Sequence, residues 1–171
     1  LSDVKKSQSY LMFSDKDGRL YNGSIRLVGK GGAITGTSAD ILIIDDPIKG
    51  GEDMSPNSLE KLWDFYKTII LQRLEPHSEL VILHTRWGTD DLIGKLKKHQ
   101  PNDYKFIEYP AILDDGTPLW KERYTIEMLE HRRKEMGDRM FSALYQQIPL
   151  DDTGGFFDLS HLRYGKPLGE P

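Results

Sequence analysis

The chain has 171 residues, 37% of them apolar and 29% charged, with 27 acidic against 23 basic side chains and a formal net charge of -4. That length and composition suit one globular domain with its own core and room for a tail, and they exclude a disordered polymer. The acidic balance argues against a broad, sequence-independent grip on nucleic acid, though not against a local contact. There is no cysteine, so neither a disulfide framework nor a thiolate metal site can form, and a reducing compartment is compatible. No apolar run approaches the ~20 residues that span a bilayer, and the opening LSDVKKSQSY has no signal-peptide pattern.

In chain order, Tyr10 to Phe13 is a short apolar strand, followed by turn chemistry at Asp15-Lys16-Asp17-Gly18. Asn22-Gly23, a strong turn pair, introduces a second strand over Ser24 to Val28. A glycine-dense segment from Gly29 to Ser38 then leads into Ile41-Leu42-Ile43-Ile44-Asp45-Asp46-Pro47. Four consecutive apolar residues without polar alternation predict a strand buried on both faces, as in a parallel sheet. Ser55 and Pro56 supply the cap and first residue of a helix. Its stripe of Leu59, Leu62, Trp63, Tyr66, Ile70 and Leu74 covers one face, which assigns Trp63 and Tyr66 to the core. Pro76 lies just past its end. Leu80 to Leu83 is a second buried strand, closing in His84-Thr85-Arg86-Trp87. Thr89 can cap a further helix, with Asp90 and Asp91 in its first turn and Lys95, Lys97 and Lys98 in its last. A third strand is expected over Tyr104 to Pro110. One helix is expected from Thr125 to Met136, ending at Gly137, and another capped by Asp138 with Met140, Phe141, Leu144 and Tyr145 on one face. Asp151 to Gly155 reads as a linker. Strands alternating with helices of this length indicate a parallel α/β fold.

Two acids at the end of a buried strand sit where open α/β sheets place their ligands. In a Walker B segment the first acid holds Mg²⁺ and the second polarises a water; the plain alternative for Asp45-Asp46-Pro47 is an Asp-Pro turn. Gly31-x4-Gly36-Thr37-Ser38 has the glycine spacing of a P-loop, but Thr37 stands where the phosphate-binding lysine belongs. The segment also precedes a strand instead of opening a helix, so it reads as a turn at the sheet edge. No other GxxxxGK[ST] occurs in the sequence. At the end of the second strand, Thr85 could hydrogen-bond a water or a phosphate oxygen. Arg86 could pair with a phosphate or with an acid on the neighbouring strand, or form a purely structural ion pair. Asp90 and Asp91 need no chemistry to explain them, since acids in a first helical turn stabilise it by about 0.3–1 kcal/mol each. The five histidines have no metal-ligand spacing.

The ordered motifs GGAITGTSADILIIDDPIK, ILHTRWGTDDLIGKL, YPAI, LW and ALYQQIP resemble the ATPase domain of the large terminase subunit of tailed phages, from about Gly23 to Phe157. The resemblance implies a partial P-loop NTPase-like (ASCE) sheet, with mainly parallel strands flanked by helices and a short C-terminal linker tail. Residues 1–149 would be the C-terminal portion of that ATPase domain without its Walker A. Residues 150–171 would be the linker and the start of a nuclease domain, near Gly155-Phe156-Phe157-Asp158. By position, Asp45 matches the magnesium acid. Asp46 matches the catalytic carboxylate, where the family often has a longer glutamate. Leu83 to Arg86 matches the coupling motif, which makes Thr85 and Arg86 sensors of the γ-phosphate. The implied cofactors are Mg²⁺ and ATP in the intact protein, with none expected to be bound by this chain alone. The implied partners are double-stranded DNA, the small terminase subunit and the portal, in the bacterial host cytoplasm and away from any membrane.

Without a phosphate cradle, no meaningful ATPase activity is expected from this chain alone. Two other readings stand beside this one. The first is a prophage-derived binding module that docks on terminase, portal or DNA without hydrolysis. The second is a metal-dependent nuclease that clusters Asp45, Asp46 and Asp90 or Asp91.

Overall fold

A computed structural model describes residues 2–7, 10–29, 34 and 36–150. Among these residues the chain is mixed α/β, with a small parallel sheet and four α-helices. It divides into two compact units, residues 1–42 with 66–80, and residues 43–65 with 81–171.

The first unit contains a three-stranded antiparallel meander, β1 (Ser2–Ser7), β2 (Tyr10–Ser14) and β3 (Leu20–Arg26), in sequence order. The β2–β3 turn is made by Asp15, whose side chain accepts from the amides of Asp17 and Arg19, with Gly18 at φ +80°. Asn22-Gly23 lies inside β3 and makes no turn: cross-strand pairing with β2 overrides the local preference of that dipeptide. The sequence did not announce β1. Much of the glycine-dense segment lies outside the described residues, as do the linker at Asp151 to Gly155 and the positions Phe156 to Asp158.

Strands β4 (Ala39–Asp45) and β5 (Leu74–Leu83) form the parallel pair. The Ser78 hydroxyl donates to the Ala39 carbonyl at one end, and the Asp46 amide donates to the Leu83 carbonyl at the other, 2.9 Å away. Both strands therefore finish at one rim. They are not buried on both faces as expected. Leu42, Ile44, Leu80 and Ile82 are half-buried, whereas Ile43 is 61% and Leu83 51% exposed on the other face. One face of the pair is thus half-buried and the other exposed.

Helix α1 (Pro56–Phe65) follows a 3-10 turn at Gly51–Met54. The Ser55 hydroxyl accepts from the Ser58 amide, the cap expected from Ser-Pro. The apolar stripe is buried as predicted at Leu59, Trp63, Tyr66 and Ile70. The backbone widens into a π turn over Tyr66–Ile70 and tightens over Leu71–Arg73, so that Leu74 opens β5 and Pro76 sits within that strand.

In the second unit, α2 (Leu92–His99) starts from Asp91, whose carboxylate accepts from the Gly94 amide; Thr89 is not the cap. No strand forms over residues 104–110, so the expected third strand is absent. Helix α3 (Ile126–Met136) is capped by Thr125 and stopped by Gly137 at φ +84°, as the sequence indicates. Gly137 is also the N-cap of α4 (Asp138–Leu144), which makes Asp138 its first residue. Leu59, Trp63, Leu92, Leu96, Leu129, Phe141 and Ala143 form the core of this unit. Trp63 stacks on His99 at 5.6 Å and Glu60 pairs with Lys95, which holds α1 against α2.

Candidate functional site

The rim where β4 and β5 end gathers Asp45, Asp46, His84, Thr85 and Arg86 within the second unit. Asp45 is the last residue of β4 and lies on its exposed face. Its carboxylate has no hydrogen-bond or ion-pair partner among the described residues. Asp46 leaves the strand at φ +41°, a left-handed conformation that short polar side chains tolerate. That turn swings its carboxylate across to the neighbouring strand, where Oδ1 accepts from the Thr85 amide at 3.2 Å. The two adjacent acids therefore diverge. Asp46 is tied to the second motif, and Asp45 remains open to solvent.

Thr85 is half-buried, and its hydroxyl has no acceptor or donor among the described residues. It stands beside Asp46 with its backbone engaged and its side chain available. His84 Nδ1 contacts the Thr85 carbonyl, while Nε2 is fully buried without a partner. Burial holds this imidazole below its ordinary range, outweighing the pull of Asp91, the Thr85 carbonyl and Asp46 toward protonation. His84 is therefore a neutral packing residue at pH 7.

Arg86 does not reach an acid on the neighbouring strand. Its Nε donates to both oxygens of Asp91, at 3.1 and 2.9 Å, and Nη2 donates to the Gly88 carbonyl at 3.3 Å. Asp91 is wholly buried and also accepts from the amides of Trp87, Gly88 and Gly94. Five donor contacts converge on one carboxylate, which fixes the whole Arg86–Gly94 loop. Neither the helix-end role nor the metal-site role that the sequence suggests for Asp91 anticipates this pairing with Arg86. The visible signal was an acid five residues after an arginine at a strand-to-helix junction. Gly94 is required by close approach: a Cβ there would lie 1.8 Å from the Thr89 carbonyl oxygen. Gly50, at φ +82°, lies against the Trp87 ring in the same way.

The later motifs also meet one another. The Leu119 amide donates to the Ala111 carbonyl, and the Ala111 amide donates to the Tyr145 carbonyl. The Gln146 amide group grips the Ile112 backbone through two hydrogen bonds of 2.9 Å. YPAI, LW and ALYQQIP are thus parts of one structural clamp.

Asp91 is spent on Arg86 and backbone amides and is not free for a metal. No group of three or more His, Asp or Glu side chains converges on a common point among the described residues. A single free carboxylate such as Asp45 does suit Mg²⁺, which keeps several waters and needs only one or two protein acids. No helix among the described residues is long and apolar enough to cross a membrane. No protein-family model and no curated protein matches this chain.

Proposed function

We propose that this chain carries the Walker B and coupling strands of a DNA-packaging ATPase of the large-terminase type, built on a P-loop NTPase-like sheet. In that reading the intact protein uses ATP hydrolysis to move double-stranded DNA, working with a small terminase subunit and a portal in the bacterial cytoplasm. The observation that carries the proposal is the parallel pair β4–β5 ending at one rim, with Asp45 free and Asp46 bonded across to the Leu83–Thr85 segment. A site that must report γ-phosphate state to a second strand needs such a direct tie between its acid and that strand.

Asp45 would hold the magnesium ion, which when bound neutralises phosphate charge. Asp46 would orient the attacking water from its second oxygen, and the Thr85 hydroxyl would hydrogen-bond that water or a phosphate oxygen. Arg86, held by Asp91, keeps the coupling segment in one conformation. Phosphoryl transfer also needs a lysine and a ring of backbone amides around the phosphates, and no GxxxxGK[ST] occurs in this sequence. The chain alone is therefore inactive. A coupled-enzyme assay of the purified chain with Mg-ATP is expected to give no hydrolysis above background. Steady magnesium-dependent hydrolysis, abolished by Asp45→Ala, would contradict the half-site reading.

A further inference from the structure

A second feature of the second unit lies beyond this proposed rim chemistry. A cleft of about 500 Å³ opens beside α2, lined among others by Arg86, Lys97, Lys98, Glu108 and Gln147. Three cations face one acid there, and the balance stays positive after Asp91 behind Arg86 is also counted, in a chain whose formal charge is -4. Arg86 is only 7% exposed, and its orientation is set by the Asp91 carboxylate and the Gly88 carbonyl. Its Nη1 has no acceptor among the described residues. It is not sealed in either, because the fully buried unpartnered side-chain nitrogens among the described residues are those of Arg73, His84 and Trp87. A guanidinium desolvated on one side, fixed in place and carrying unused N–H groups is a prepared donor for an oxyanion. Glu108 holds Lys97 at the cleft wall, and Lys98 pairs with no acid among the described residues.

We infer that this cleft binds a phosphate group, with Arg86 as the fixed donor and Lys97 and Lys98 closing on it from α2. The open shape and the cations at its wall suit a phosphate that belongs to a larger molecule, either a free nucleotide or one position of a nucleic-acid backbone. The inference stands apart from the ATPase reading, because phosphate binding here needs no magnesium acid and no hydrolysis.

The test is amide NMR of the full chain titrated with inorganic phosphate, then AMP, then a short oligothymidylate, at constant ionic strength against chloride. Saturable shifts at Gly88, Gly94, Lys97 and Lys98, with affinity of about millimolar for phosphate alone, are expected. Lys98→Glu, on an exposed position, should weaken that affinity several-fold without changing the folded spectrum. Tighter binding of AMP than of the oligonucleotide identifies a nucleotide site, and the reverse identifies a backbone site. Absence of saturable shifts, shifts equalled by chloride, or an unchanged affinity in Lys98→Glu would overturn the inference. Failure of the ATPase prediction would leave these titrations unaffected, so the two are tested separately.

Discussion

Asp91 is the residue on which the local structure of the rim depends most. Five donor contacts end on its carboxylate, and the Arg86 guanidinium lies buried against it. Asp91→Ala leaves a desolvated cation and three backbone amides without their acceptor. The expected loss is about 3–5 kcal/mol, the range for breaking one side of a buried pair, read as a lowered urea midpoint. His84 gives a second test at this scale. Burial lowers its pKa, so between the folded value and the ordinary value of about 6.5 the unfolded chain binds more protons. Its contribution is complete above pH 6.5 and is lost as pH falls through that window. His84→Gln should flatten the fall in thermal midpoint below pH 6.5; an unchanged slope contradicts it. Asp45, Asp46, Thr85 and Arg86 were all legible in the sequence as strand-end residues, because an apolar run ending in polar residues is a local pattern. The Asp91–Arg86 pair was not, because which acid an arginine meets depends on how the loop between them closes.

At the scale of elements, what the sequence predicts best is what depends on local chemistry. Thr125 and Gly137 bound α3 where side-chain capping and a positive φ require them. The α1 stripe buries the residues its periodicity names, although the backbone under Tyr66–Ile70 is a π turn. Prediction fails where pairing decides. Tyr104 to Pro110 has strand-like composition, yet no strand forms there. β4 has the composition of a doubly covered strand, yet Ile43 remains exposed. The irregular stretch around Ala111 is held by the Gln146 side chain, whose two hydrogen bonds to Ile112 replace a strand partner. Gln146→Ala should cost about 1–3 kcal/mol, since it leaves a partly buried peptide unsatisfied on both sides. Hydrogen exchange at Ile112 checks this directly: faster exchange there, with α2 amides unaffected, is the expected pattern.

At the scale of the whole molecule, the five ordered motifs resolve into two structural jobs. The first two build the β4–β5 rim, and the last three lock residues 109–149 together. Asp45, Asp46, Thr85 and Arg86 lie within one compact unit. The most direct measurement is magnesium-dependent ATP hydrolysis by the product of the full reading frame that encodes this chain, compared with its Asp45→Asn variant. The expected result is a GxxxxGK[ST] in the frame upstream of Leu1, clear hydrolysis by the parent protein, and a loss of about a hundredfold or more in the variant, the scale on which a metal clamp contributes to phosphoryl transfer. A frame without that motif, or hydrolysis that Asp45→Asn leaves intact, would contradict it.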